Sequence, residues 1–162
     1  MRMTLWRGPL LALATGFFFA GGAATAEAQD TNLDRMITAS VRWLFADKPA
    51  LERKAVALNS ALGSDTATAR RVSAVLRLPL RDKASTLVCS SARRRFCRLE
   101  GVHALVSVQV SDTTATAPVV TIMWLENVYE TEPGVVEQVT VLQLERSGSE
   151  FTVRSVLQRF IS

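Results

Sequence analysis

Along the first half of this chain apolar residues recur at helical spacing and along the second half they alternate, so the pattern predicts helices followed by strands. Leu33, Met36, Ile37, Val41, Leu44 and Phe45 fall on one face of a helix from about Asn32 to Ala46. Thr31 followed by Asp34 resembles a capping box at its start. A second helix is expected from Asp47, which caps it, with Pro49 in the first turn, Leu51, Ala55, Leu58 and Leu62 as the buried stripe and Gly63 at the end. A third, shorter helix begins at Ser64, Asp65 or Thr66. It turns Ala69, Val72, Val75 and Leu76 inward and Arg70, Arg71 and Arg77 outward, and it ends before Pro79.

After Lys83 the period shortens to two. Thr86 to Cys89 and Phe96 to Leu99 are short strands around the polar tip Ser90 to Arg95. In Val102 to Val110 the residues Val102, Ala104, Val106, Val108 and Val110 share one face, and His103, Ser107 and Gln109 the other. Val119 to Tyr129 is a long strand, Glu132-Pro133-Gly134 a turn, and Val135 to Glu145 runs through the turn Ser147-Gly148-Ser149 into Phe151 to Ile161. The short links favour an antiparallel meander. Val120, Ile122 and Trp124 alternate with Val119, Met123 and Leu125, so the second long strand is apolar on both faces. Either a helix covers each face, or the sheet curls around apolar space.

The fold class is therefore α+β, with about three N-terminal helices packed on a curved antiparallel sheet of about four to six strands. This order of elements, over most of residues 30 to 162, resembles the nuclear-transport-factor-2-like (cystatin-like α+β) superfamily, in which N-terminal helices pack into the concavity of a bent antiparallel sheet. The resemblance implies architecture and no particular activity, and it transfers no catalytic residue to a position here.

The first 28 residues read as an export signal. Arg2 and Arg7 give a basic start, Leu10 to Ala20 is apolar, and Ala26-Glu27-Ala28 is a small-x-small cleavage pattern. A cut after Ala28 leaves residues 29–162 as a single domain, and a cut after Ala26 is the alternative. No later run has the roughly 20 apolar residues a membrane span requires. The expected location is periplasmic or secreted, where disulfides persist.

Cys89 and Cys97 are the only cysteines, and in that compartment a structural disulfide between them is the expected state. Their C-x7-C spacing departs from the C-x2-C redox pattern, and His103 alone cannot complete a zinc site. Charge is unevenly distributed: nine basic residues stand against Asp82 alone from Thr66 to Arg98, and three against eight acidic ones from Leu99 onward. The two blocks either neutralise each other across the fold or leave an anion-binding surface. Arg93, Arg94 and Arg95, joined by Arg98, sit at the hairpin tip and suit phosphate or carboxylate groups. Phe96 is the only aromatic among them, which disfavours nucleic acid.

His103 is the sole histidine, and with Glu126 or Tyr129 it would form a proton-transfer pair if the fold brings them within hydrogen-bond reach. Glu126, Glu130, Glu132 and Glu137 lack the glycine-containing loop of a calcium site, and no cofactor motif is present, so no metal or cofactor is expected. These features point to an exported, non-catalytic binding or interaction domain that takes a small apolar ligand or an anionic envelope component. The alternatives are a small acid/base enzyme centred on His103 and an envelope adaptor acting through Arg93, Arg94 and Arg95.

Overall fold

The computed structural model describes residues 22–61, 66–90, 96–128 and 134–162, with side chains from residue 31 onward. A long helix, α1 (Gly22–Asp47), leads through a 3-10 helix (Pro49–Arg53) into β1 (Val56–Asn59). Helix α2 (Thr66–Leu76), β2 (Leu80–Arg81) and the four-residue α3 (Lys83–Thr86) follow. The hairpin β3 (Leu87–Ser90) and β4 (Phe96–Leu99) precedes β5 (Ala104–Val110), β6 (Val119–Val128), β7 (Gly134–Ser147) and β8 (Glu150–Ile161). The six-stranded sheet has the order β2-β1-β5-β6-β7-β8, and β3-β4 form a separate two-stranded sheet.

The α+β class holds, but the sheet is mixed rather than purely antiparallel. Strands β5 to β8 form the expected meander, whereas β1 pairs in parallel with both β2 and β5. The second helix expected from Asp47 is replaced by the 3-10 turn and β1. All four residues of β1 are buried, because Val56 and Leu58 face the main core and Ala57 faces a second one. A short apolar run buried on both faces has the same periodicity signature as a buried helical stripe, which is why Leu51, Ala55 and Leu58 read as helical. Leu62, Gly63, Ser64 and Asp65 lie outside the described residues. Asp47 closes α1 instead of capping a second helix, and its carboxylate accepts from Arg159 at 2.8 Å. Thr31 and Asp34 lie inside α1 rather than at its start.

Helix α1 fills one face of the sheet. Met36, Ile37, Val41 and Leu44 are fully buried against Val106, Val108, Ile122 and Leu142, and Ala69 and Val72 of α2 complete this core. Val75, expected to face inward, is 59% exposed. Among the described residues no helix contributes to the core on the opposite face. Instead the β3–β4 hairpin covers one end of it, where Leu87 and Leu99 meet Ala57, Val102, Leu105, Leu125 and Val135. Val102 thus precedes β5 and belongs to this second core, not to the face of Ala104, Val106 and Val108.

The Ser147-Gly148-Ser149 turn joins β7 to β8 with Gly148 at φ +63°, the left-handed conformation glycine adopts freely. The register between β7 and β8 shifts at Val141/Leu142 and at Gln143/Leu144. Such irregularities twist an edge strand and disfavour pairing with another chain. They accompany an exposed apolar end of β8 in which Phe160 is 55% and Ile161 75% accessible.

Candidate functional site

Two regions concentrate chemistry. The first lies where β1, β5 and β6 meet. The backbone N–H of His103 donates to the carbonyl of Ala55 at 2.6 Å, which draws the start of β5 against the residues preceding β1 and brings Lys54 alongside. Pairing of Ala104 with Glu126 then sets the carboxylate beside the imidazole. His103 Nε2 is 3.1 Å from Glu126 Oε1, and Lys54 Nζ is 2.8 Å from the same Nε2 and 3.1 Å from the same Oε1. The pairing of His103 with Glu126 was legible as a candidate, whereas Lys54 was missed. Forty-nine residues separate Lys54 from His103, and no local sequence pattern signals such a contact. Tyr129 and Glu130 lie outside the described residues.

One ring nitrogen cannot accept from Lys54 and donate to Glu126 at once. With the imidazole neutral and its proton on Nδ1, the ammonium donates to both Nε2 and Oε1; with a proton on Nε2, that N–H is directed at Oε1. Burial alone would raise the Glu126 pKa, but hydrogen bonds from His103 and Lys54 and their charges outweigh it, so the carboxyl is held below its ordinary value. The cluster is half-buried and compact.

The second region is a cleft of about 450 Å³ between α1 and the start of β8. Ala39, Trp43, Phe151 and Val153 supply apolar surface, and Arg35 and Arg42 bring cations from α1. Arg35 and Arg42 are seven residues apart, two helical turns, so both lie along the same side of α1. Arg35 donates to the carbonyl of Ser149 at 3.0 Å, fixing the β7–β8 turn to the helix. Asp34, also on the wall, accepts from Arg71 through both carboxylate oxygens. Trp43 is held by the Arg159 guanidinium, 5.5 Å from its ring centroid, which is itself anchored on Asp47. Arg42 is exposed, and no side-chain hydrogen bond or ion pair engages it among the described residues.

Trp43 therefore lines a cleft, while Trp124 is a core residue, 2% exposed, with its indole N–H unpartnered among the described residues. Sequence reasoning missed this cleft because its two walls come from opposite ends of the chain. Only Glu150 adds an acidic group from the β8 side.

Cys89 and Cys97 are directly paired in the β3–β4 register and form a disulfide, and no free cysteine remains. Arg93, Arg94 and Arg95 lie outside the described residues. Arg98 donates to Glu100 Oε1 at 2.7 Å, so an acidic neighbour already offsets its charge. Among the described residues no group of three or more His, Cys, Asp or Glu side chains could hold a metal, and no helix is long and apolar enough to cross a membrane. No family model matches the chain, and neither a curated protein nor a solved structure matches it significantly.

Proposed function

We propose that this chain works as an exported, non-catalytic binding domain, and that its ligand is a small amphipathic anion seated in the cleft between α1 and β8. The observation that carries this reading is the pairing, in one cleft, of an apolar wall with Arg42, a cation that the described residues leave without a carboxylate. A volume of about 450 Å³ lies within the range of small-molecule sites. Trp43 and Phe151 would take the apolar body, and Arg42 the charged head. Export is supported by the N-terminal pattern of a basic start, an apolar run and a small-residue junction, and by the disulfide. Element order keeps the nuclear-transport-factor-2-like reading in play as a proposal, supported by a long helix laid on one face of four antiparallel strands.

Dodecanoate is the probe, followed by the change in tryptophan fluorescence of the chain from Gln29 onward, which lacks Trp6; Trp43 lines the cleft, whereas Trp124 is shielded in the core. Binding should be saturable, weaker for dodecanol, and weakened about tenfold by Arg42→Ser, the expected loss of one charge-assisted contact. Absence of any response to either compound would overturn the assignment. The acid/base reading has the 3.1 Å contact between His103 and Glu126 in its favour. Against it, Lys54 contacts the same ring nitrogen, and neither His103 nor Glu126 lines the α1–β8 cleft.

A further inference from the structure

A second cleft, of about 470 Å³, lies on another part of the molecule, between the 3-10 helix, the C-terminal end of α2 and β2. Its charged lining comprises Lys54, Arg77 and Arg81 against Glu52 alone. Lys54 is occupied by Glu126 and His103, but neither Arg77 nor Arg81 has a side-chain hydrogen bond or ion pair among the described residues. Phe45, Leu76, Leu78 and Pro79 form its apolar walls.

Arg77 also stands in an unusual backbone position. Helix α2 ends in a Schellman arrangement, in which the Leu78 N–H donates to the Ser73 carbonyl at 3.2 Å and Ser73 Oγ donates to the Leu78 carbonyl at 2.6 Å. The residue just past the helix takes the left-handed conformation in such a motif, and glycine is the usual choice. Here it is Arg77, at φ +56°, the only positive-φ residue other than glycine among the described residues. A bulky side chain held in that conformation is strained, and strain of this kind gathers at binding sites. The strain, the two unpaired guanidinium groups and the apolar walls occur at one place.

We propose that this cleft binds a phosphate monoester carried on a compact apolar body. The planar forks of Arg77 and Arg81 suit the bidentate geometry of phosphate oxygens, and the walls of Phe45, Leu76 and Leu78 take the organic group. Such an ester reaches the cleft either as a free small molecule or as a lipid headgroup.

The test uses the whole protein and calorimetric titration with inorganic phosphate and with phenyl phosphate, together with co-sedimentation on vesicles containing phosphatidate. Phenyl phosphate should bind more tightly than inorganic phosphate because it also fills the apolar walls. Arg77→Gly separates binding from folding, since glycine relieves the left-handed strain while deleting the cation. The variant should therefore melt at a higher temperature than the native protein and yet bind phenyl phosphate about tenfold or more weakly. Arg81→Ser should weaken binding with little change in melting temperature. Vesicle binding that Arg77→Gly abolishes identifies a lipid headgroup as the source, and phenyl phosphate binding without vesicle binding identifies a free ester. No binding of phenyl phosphate, or binding unchanged in both variants, overturns the proposal.

Discussion

Asn127 provides the most direct test of how the two cores are joined. Its side chain is buried and bridges β6 to the disulfide hairpin: Oδ1 accepts from the Leu99 N–H at 2.7 Å, and Nδ2 donates to the carbonyls of Leu99 at 3.0 Å and Val102 at 3.1 Å. Its own backbone N–H donates to the His103 carbonyl at 2.9 Å, so one residue ties β4, β5 and β6 together. Replacing it with leucine removes three hydrogen bonds, each worth about 1 kcal/mol net, and leaves three buried backbone groups without that partner. The added apolar surface offsets no more than about 1 kcal/mol in a site shaped for an amide. Asn127→Leu should therefore cost about 2 to 4 kcal/mol, a large share of the roughly 5 to 15 kcal/mol typical of a domain. Asn127→Asp keeps the acceptor for Leu99 but turns a carboxylate oxygen toward two carbonyls, so at neutral pH it should be worse than leucine. Its deficit should shrink on acidification, because a protonated acid can again donate once. Urea unfolding gives the free energies, and hydrogen exchange at the Leu99 amide reads the joint itself. A loss below about 1 kcal/mol with Leu99 still protected would show that the hairpin is held by apolar contact alone.

Two further outcomes follow from the same contacts. Because the Glu126 carboxyl is held below its ordinary value of 4.5 in the folded protein, its contribution is present above that pH and lost as pH falls through the lower folded value. The stability difference between the native protein and Glu126→Gln should accordingly be larger at neutral pH than near pH 3; a difference independent of pH would show that the cluster carries no such linkage. Cys89→Ser opens a cross-link spanning eight positions and should lower stability by about 2 to 3 kcal/mol while leaving dodecanoate binding intact in the folded fraction, as the hairpin and the α1–β8 cleft involve different residues. Equal stability of the oxidised native protein and the variant would contradict the loop-closure account.

Much of the architecture was readable because alternation or helical spacing recorded which side of an element is covered. Strands β5 to β8 and the buried stripe of α1 belong to this class. Strand β1 was misread because burial on both faces erases the alternation, and β2 was missed because two residues are too few to show any period. Asn127 left a faint mark: asparagine within an otherwise β-branched and aromatic strand is unfavourable unless its amide finds partners. His103 and Glu126 could be nominated from residue type, but their meeting depends on the register of β5 with β6. The clefts were not legible, since each is assembled from segments distant in the chain.

The charge asymmetry illustrates the same distinction between content and placement. A basic block followed by an acidic block suggests mutual neutralisation across the fold, yet the ion pairs are distributed otherwise. Arg71 of the basic block pairs with Asp34 on α1, Glu126 of the acidic block with Lys54, and Asp47 with Arg159. Among the described residues only Arg98 with Glu100 joins the two blocks, and those are near neighbours on one hairpin arm. Part of the surplus positive charge of the middle third thus has no ion pair among the described residues, at the exposed Arg77 and Arg81, which line the cleft beside its apolar walls. Exposed cations are screened by salt, so binding at this pair should weaken as ionic strength rises. Arg77 and Arg81, exposed but lining one cleft, can meet an anion together, which is what the proposed phosphate site requires.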